Sequence, residues 1–294
     1  MTNKTVENVY TRHTAKELTK QYFWKLAGMM AIAFGIPYGL TIIVPAIFAP
    51  VGTQSNMYVT VTFVTAIVAG LLDSGLTLGL LRSFIDLCRG ENVRVSAVFQ
   101  HMHMTLRGFG LGLWVGLKTL LWALPAYALV AVAVIFSLNT NQTTQPSEEL
   151  LLLYSLLPIG MIVAVFAMVV PAVMRYMLST FIMADKPNTG VFECVRQSKA
   201  MMKGHKWQAF KLVIPVILVM YVIFIVAGVV IGAASAFLAT TEAMVTILTV
   251  LTYIVMIAIV MYYTIRMHLC YCIFYNNRLT ENTPVEPAAE AAAE

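Results

Sequence analysis

Charge is what this chain has least of. Only 11% of its 294 residues are Asp, Glu, Lys or Arg and 60% are hydrophobic, against roughly a quarter charged in soluble domains. With a mean hydropathy of +0.80, the chain is neither an ordinary soluble domain nor a disordered one. Cysteine is scarce too: the four, Cys88, Cys194, Cys270 and Cys272, are too few for a disulfide scaffold. The first twenty residues hold no apolar run of the signal-peptide kind, and neither end carries a lipidation motif, so no cleaved leader or lipid anchor is expected. No GxSxG, HExxH or paired-carboxylate pattern occurs, and a single acid lies inside the apolar stretches; an enzyme is not expected.

What the chain has is length of oil. Six stretches can cross about 30 Å of hydrocarbon at about 1.5 Å per helical residue: Leu26 to Ala49, Tyr58 to Leu81, Phe109 to Phe136, Leu150 to Met174, Leu212 to Ala239 and Ala243 to Ile265. The expected fold is all-α, a polytopic membrane helix bundle with six transmembrane helices plus amphipathic helices in the cytoplasmic interface. Residues 1–22 form an amino-terminal arm, 23–279 the membrane domain, and 280–294 an acidic tail expected to be disordered.

Basic residues orient the bundle. Of the 19 Lys and Arg, all but Lys118 fall in the amino-terminal arm, the two connections after the second and fourth spans, or the tail. The opposite loops carry only acids: Glu148, Glu149 and Glu242. Short Lys- and Arg-rich loops stay cytoplasmic, so both termini are expected there. The cysteines fall on that same side and are expected as free thiols. The formal net charge of +5 then speaks of anionic headgroups, not of nucleic acid.

The stretch SKAMMKGHKW, from Ser198 to Trp207, is the most basic segment. A phosphate-binding loop is excluded by spacing, since Gly204 is followed by His205 and no strand precedes it. On a helix over Val191 to Trp207, Arg196, Lys199, Lys203 and Lys206 fall on one stripe at spacings of three and four, with Val191, Cys194, Val195, Met201 and Met202 on an adjoining face. That is an interfacial helix with a phosphate-seeking edge, bent at Gly204. The connection after the second span, SFIDLCRGENVRVSAVF from Ser83, resembles TFIMADKPNTGVFECV from Thr180. Both leave descending spans, which fits a duplicated hairpin.

The runs ADKPNTGVFECVRQSKAMMKGHKWQAF, IVAGLLDSGLTLGLLRSFIDLCRGENVRVSAVF and CYCIFYN resemble the bacterial multi-pass family known as domain of unknown function 975, over roughly residues 10 to 280. That family is similar in layout to the membrane domains beside glycerophosphodiester phosphodiesterases. The SxxxMxGHKW pattern (Ser198, Met202, Gly204, His205, Lys206, Trp207) is its most specific part. The resemblance implies a polytopic protein of the bacterial cytoplasmic membrane without an assigned activity. The phosphodiesterase chemistry belongs to a catalytic domain this chain lacks.

Two ionisable residues lie inside spans, Asp73 and Lys118. They stand about 14 Å from Arg82 and about 16 Å from Arg107 along antiparallel helices, so they could meet at similar depth. A midplane lysine costs roughly 2.5 to 3.5 kcal/mol, which calls for a partner. The pair reads either as a charge that fixes packing or as a substrate or proton path. HMHM, from His101, and HLCYC, from His268, offer soft ligands, but neither has a recognised metal spacing; no metal and no cofactor are expected. The expected function is a non-catalytic membrane component or scaffold. It engages anionic lipids, or a membrane protein partner, through Arg196, Lys199, Lys203, His205, Lys206 and Trp207, with no role for nucleic acid. The alternative is a transporter or channel for a small solute or lipid, with a cavity near Asp73 and Lys118.

Overall fold

The computed structural model describes residues 3–53, 55–140, 167–237 and 242–282, and among these all regular structure is helical. Helix α1 (Asn3–Phe48) leads through a 3-10 turn, Ala49–Val51, to α2 (Asn56–Cys88). Two further 3-10 turns, Val95–Phe99 and Met102–Met104, precede α3 (Thr105–Thr140). The fourth apolar stretch, Ala167–Asp185, ends in α4 (Ser179–Asp185). Then come α5 (Val191–Met201), α6 (Lys206–Phe237) and α7 (Glu242–Asn282). Six helical stretches are long and apolar enough to cross a membrane.

Several boundaries differ from the hydropathy reading. Residues 3–22, the expected amino-terminal arm, are helical and continuous with the first span in α1. Helix α7 continues past Ile265 to Asn282, leaving 283–294 outside the described residues. The expected span from Leu150 is described only from Ala167 and runs on to Asp185. Hydropathy marks where oil stops, whereas a helix continues as long as its polar turns find partners.

Helix α1 packs on α2 and α7, α6 packs on α7, and α2 packs on α3 and α4. The packed core gathers at one end of this bundle: Leu76, Phe84 and Ile85 of α2, Phe181 and Ile182 of α4, and Ile265, Leu269, Phe274 and Tyr275 of α7 are buried. Phe84–Ile85 and Phe181–Ile182 are the matched residues of the two similar connections, and both pairs point into this core. Farther along, Tyr221, Phe224 and Val229 of α6 and Leu251, Ile254 and Ile257 of α7 are exposed. Large apolar side chains facing outward over successive turns suit a hydrocarbon surround.

Glycine permits the closest approach. A Cβ at Gly79 would overlap the Val98 carbonyl, and one at Gly75 would strike the Thr105 hydroxyl. The small-xxx-small pattern of α2 thus lets the returning chain lie against its backbone. Gly90, at φ 83°, then ends α2 in the left-handed conformation glycine adopts without strain.

Candidate functional site

Much of the basic charge at the packed end is spent inside the protein. The Asp185 carboxylate, 7% exposed, accepts from Arg89 at 2.7 and 2.9 Å, from Arg82 at 2.9 Å and from the Tyr275 hydroxyl at 3.1 Å. Arg82 also pairs with Asp86 at 2.8 Å. The Asp185 hydrogen bonds hold the Arg89 guanidinium above its ordinary pKa, hence charged. This cluster ties α2, α4 and α7 together and sets the turn before α5.

A second cluster joins the chain ends. Arg278, 1% exposed, pairs with Glu7 and Glu281 and lies 5.1 Å over the Phe274 ring. Gln208 Nε2 donates to Glu7 at 2.7 Å, Asn277 Nδ2 donates to Glu7 at 3.3 Å, and Lys4 Nζ donates to the Gly204 carbonyl at 3.2 Å. His205 belongs here: its Nδ1 lies 3.1 Å from Gln208 Oε1 and 3.2 Å from an Arg278 nitrogen.

Five further cations form a groove. Arg175, Arg196, Lys199, Lys203 and Lys206 line a cavity of about 570 Å³ with Ala200, Gly204 and Trp207. The expected single basic helix is corrected here. Gly204, at φ 81°, ends the first helical segment, and Lys206 and Trp207 open α6 instead. The turn converts a stripe into two walls. Ser198 Oγ donates to the Arg175 carbonyl at 3.1 Å, fastening α5 to the end of the fourth span. Arg175, in turn, lies 4.9 Å over the Trp122 ring.

Among the described residues only one acid answers these charges: Glu193, which pairs with Arg196 at 2.7 Å and takes a 2.9 Å hydrogen bond from Gln197. Those two contacts, Gln197 first, hold its carboxyl below the usual range. Lys199, Lys203 and Lys206 have no acid within ion-pair distance among the described residues. Trp207, 71% exposed, and Phe192, 69% exposed, flank the same surface, the placement of aromatic residues at a membrane–water boundary.

Asp73 and Lys118 are not paired. Lys118 Nζ sits over the Trp114 ring at 5.0 Å and the Tyr176 ring at 5.9 Å, so aromatic faces supply the partner a buried lysine needs. Asp73 lines a cavity of about 290 Å³ between α2, α3 and the fourth span, together with Ser74, Thr77, Thr119, Ser179 and Thr180. It also borders a second cavity, of about 300 Å³, against Pro37, Tyr38 and Thr41 of α1. Among the described residues, no three His, Cys, Asp or Glu side chains are grouped to hold a metal. His101 and His103 stack at 6.2 Å. All four cysteines are free.

Five of the six residues expected to engage lipids or a partner, all but His205, line this cavity, and Arg175, which was not among them, joins them. Its signal was its position at the end of a span, one helix turn before the buried Ser179. The Asp185 and Arg278 clusters left no local pattern, since their partners are far apart in the chain.

Among the described residues, six apolar helices, a core gathered at one end and outward-facing oil define an α-helical multi-pass membrane protein. A family described as "Protein of unknown function (DUF975)" matches residues 7–277, nearly the whole chain, and the protein belongs to that family. No curated protein and no solved structure matches it.

Proposed function

We propose that this protein is a non-catalytic component of the bacterial cytoplasmic membrane, with both termini inside, whose basic groove engages the phosphates of anionic lipids. The observation that carries this reading is the convergence of five cations and Trp207 on one cavity, with a single acid opposing them among the described residues. Each cation near an anionic surface is worth on the order of 1 kcal/mol. Removing three therefore weakens retention by one to two orders of magnitude at most.

The protein, purified in mild detergent, is compared with a Lys199→Gln, Lys203→Gln, Lys206→Gln variant by native mass spectrometry in phosphatidylglycerol and phosphatidylcholine. The wild type retains phosphatidylglycerol selectively and the variant loses it at least tenfold. Equal retention would overturn the reading, and a copurifying protein lost in the variant would assign the groove to a partner instead.

A second reading, a transporter or channel for a small solute or lipid, is favoured by the polar cavity at Asp73. Flux into proteoliposomes that Asp73→Asn abolishes is its test.

A further inference from the structure

The Asp73 cavity has a chemical polarity opposite to that of the groove. Its polar lining is one carboxylate and a set of hydroxyls; among the described residues no Lys, Arg, His, Asn, Gln or Trp lines it. Three of those hydroxyls have already used their proton. Ser74 Oγ donates to the carbonyls of Leu71 at 2.8 Å and Thr105 at 3.0 Å, Thr119 Oγ1 donates to Val115 at 2.9 Å, and Ser179 Oγ donates to Tyr176. A hydroxyl whose proton is committed to its own helix offers only lone pairs. What reaches the cavity from Ser74, Thr119 and Ser179 is therefore acceptor, as it is from Asp73.

A carboxylate at this depth calls for a proton or a cation. The protein's own candidate, Lys118, rests on the rings of Trp114 and Tyr176 and makes no ion pair with Asp73. Size narrows the choice. About 290 Å³ is the space of roughly ten waters, far more than a bare metal ion fills. An ammonium carrying a few carbons fills it and donates to the lone pairs.

We infer that the cavity bounded by Asp73, Ser74, Thr119, Tyr176 and Ser179 is a binding site for a small organic ammonium. Asp73 is its counter-ion and the three committed hydroxyls are its hydrogen-bond acceptors. The inference rests on the cavity that supports the second reading and adds its ligand class. The ammonium comes either from a free amine or from the ethanolamine headgroup of a lipid.

The test is the thermal stability of the full chain in detergent, titrated with ethanolamine or methylamine, both primary ammonium ions, at constant chloride. Sodium chloride and ethylene glycol serve as the inorganic and uncharged controls. A saturable rise in Tm with the ammonium compounds, absent with both controls, is expected. Asp73→Asn lowers the apparent affinity at least tenfold, and Lys203→Gln, in the groove, leaves it unchanged. Should Asp73→Asn fail to fold, Thr119→Val, which keeps the shape and removes one acceptor, lowers affinity several-fold.

Short-chain phosphatidylethanolamine acting at lower concentration than free ethanolamine assigns the ammonium to a lipid, and the reverse order assigns it to a free amine. Equal shifts with sodium, or full affinity in both variants, would sink the inference. Saturable binding without flux in proteoliposomes keeps the site and removes the transporter reading. Flux of an uncharged solute without ammonium binding does the reverse.

Discussion

The groove and the Asp73 cavity are two openings near the same end of the bundle, and they are chemical opposites. One is walled by five cations on α5, α6, the turn between them and the fourth span; the other offers a carboxylate and hydroxyl lone pairs between α2, α3 and the fourth span. The difference follows from where each wall comes from. Groove residues sit mostly on the short α5 and at the start of α6, around the Met202–His205 turn, where long charged side chains reach water and headgroups. Cavity residues sit inside spans, where Ser and Thr satisfy themselves on their own helix and a single acid stands out. The fourth span serves both, with Arg175 at one cavity and Tyr176 and Ser179 at the other.

The largest way to break this comparison is to remove what both openings stand on. Asp185→Asn withdraws the shared carboxylate from Arg82, Arg89 and Tyr275. Breaking a buried pair costs roughly 3 to 5 kcal/mol. Because the two arginines are 28% and 34% exposed, solvent screening lowers the expected loss to about 2 kcal/mol. Thermal unfolding should show a Tm lowered by several degrees, with phosphatidylglycerol retention and ammonium binding both weakened. By contrast, Lys203→Gln, at an exposed groove position, should change stability by no more than about 0.5 kcal/mol. A neutral Asp185→Asn would mean that apolar packing alone sets the geometry of both openings.

Salt sharpens the comparison with a smaller effect. Raising ionic strength from about 0.1 M to about 1 M shortens the screening length from about 10 Å to about 3 Å. Groove binding, made of exposed charges, should weaken several-fold over that range. Binding at Asp73, between helices, should change by less than twofold once competition from the added cation is subtracted. Equal salt slopes would show that the Asp73 cavity is as solvated as the groove.

These contrasts also show what could be read from sequence. The spans, the all-helical class and the gathering of cations at one end follow from hydropathy and charge placement, which are local sums. What each charge faces is not local. Glu7 and Arg278 are 271 positions apart and Arg89 and Asp185 are 96 apart, so a charge count that orients the bundle by Arg82, Arg89 and Arg278 does not show that they are neutralised inside it. Gly204 was legible as a break, but whether it bends one helix or separates two depends on its φ of 81°. Lys118 called for a partner, and the aromatic faces that meet it leave no pattern a charge count detects.

Cys194 offers the smallest and most local probe, reporting on the groove wall and on nothing near Asp73. It lies under α5, fully buried, with its Sγ 3.9 Å from the Thr189 carbonyl. Burial, the leading cause, pushes its thiol from an ordinary 9.0 up to about 11. The folded protein therefore keeps this proton between those pH values while the unfolded chain releases it. Stability must fall as pH rises from about 9 toward 11 and be untouched by this group below 9. Cys194→Ala removes the titration, so the Tm gap between wild type and variant should narrow above pH 9. Maleimide labelling of a variant retaining Cys194 as its only cysteine should be slow at pH 8 in the folded protein and fast after unfolding. Rapid labelling of folded protein would mean that α5 lifts from the bundle, and that the groove opens by moving one wall while the cavity at Asp73 keeps its own.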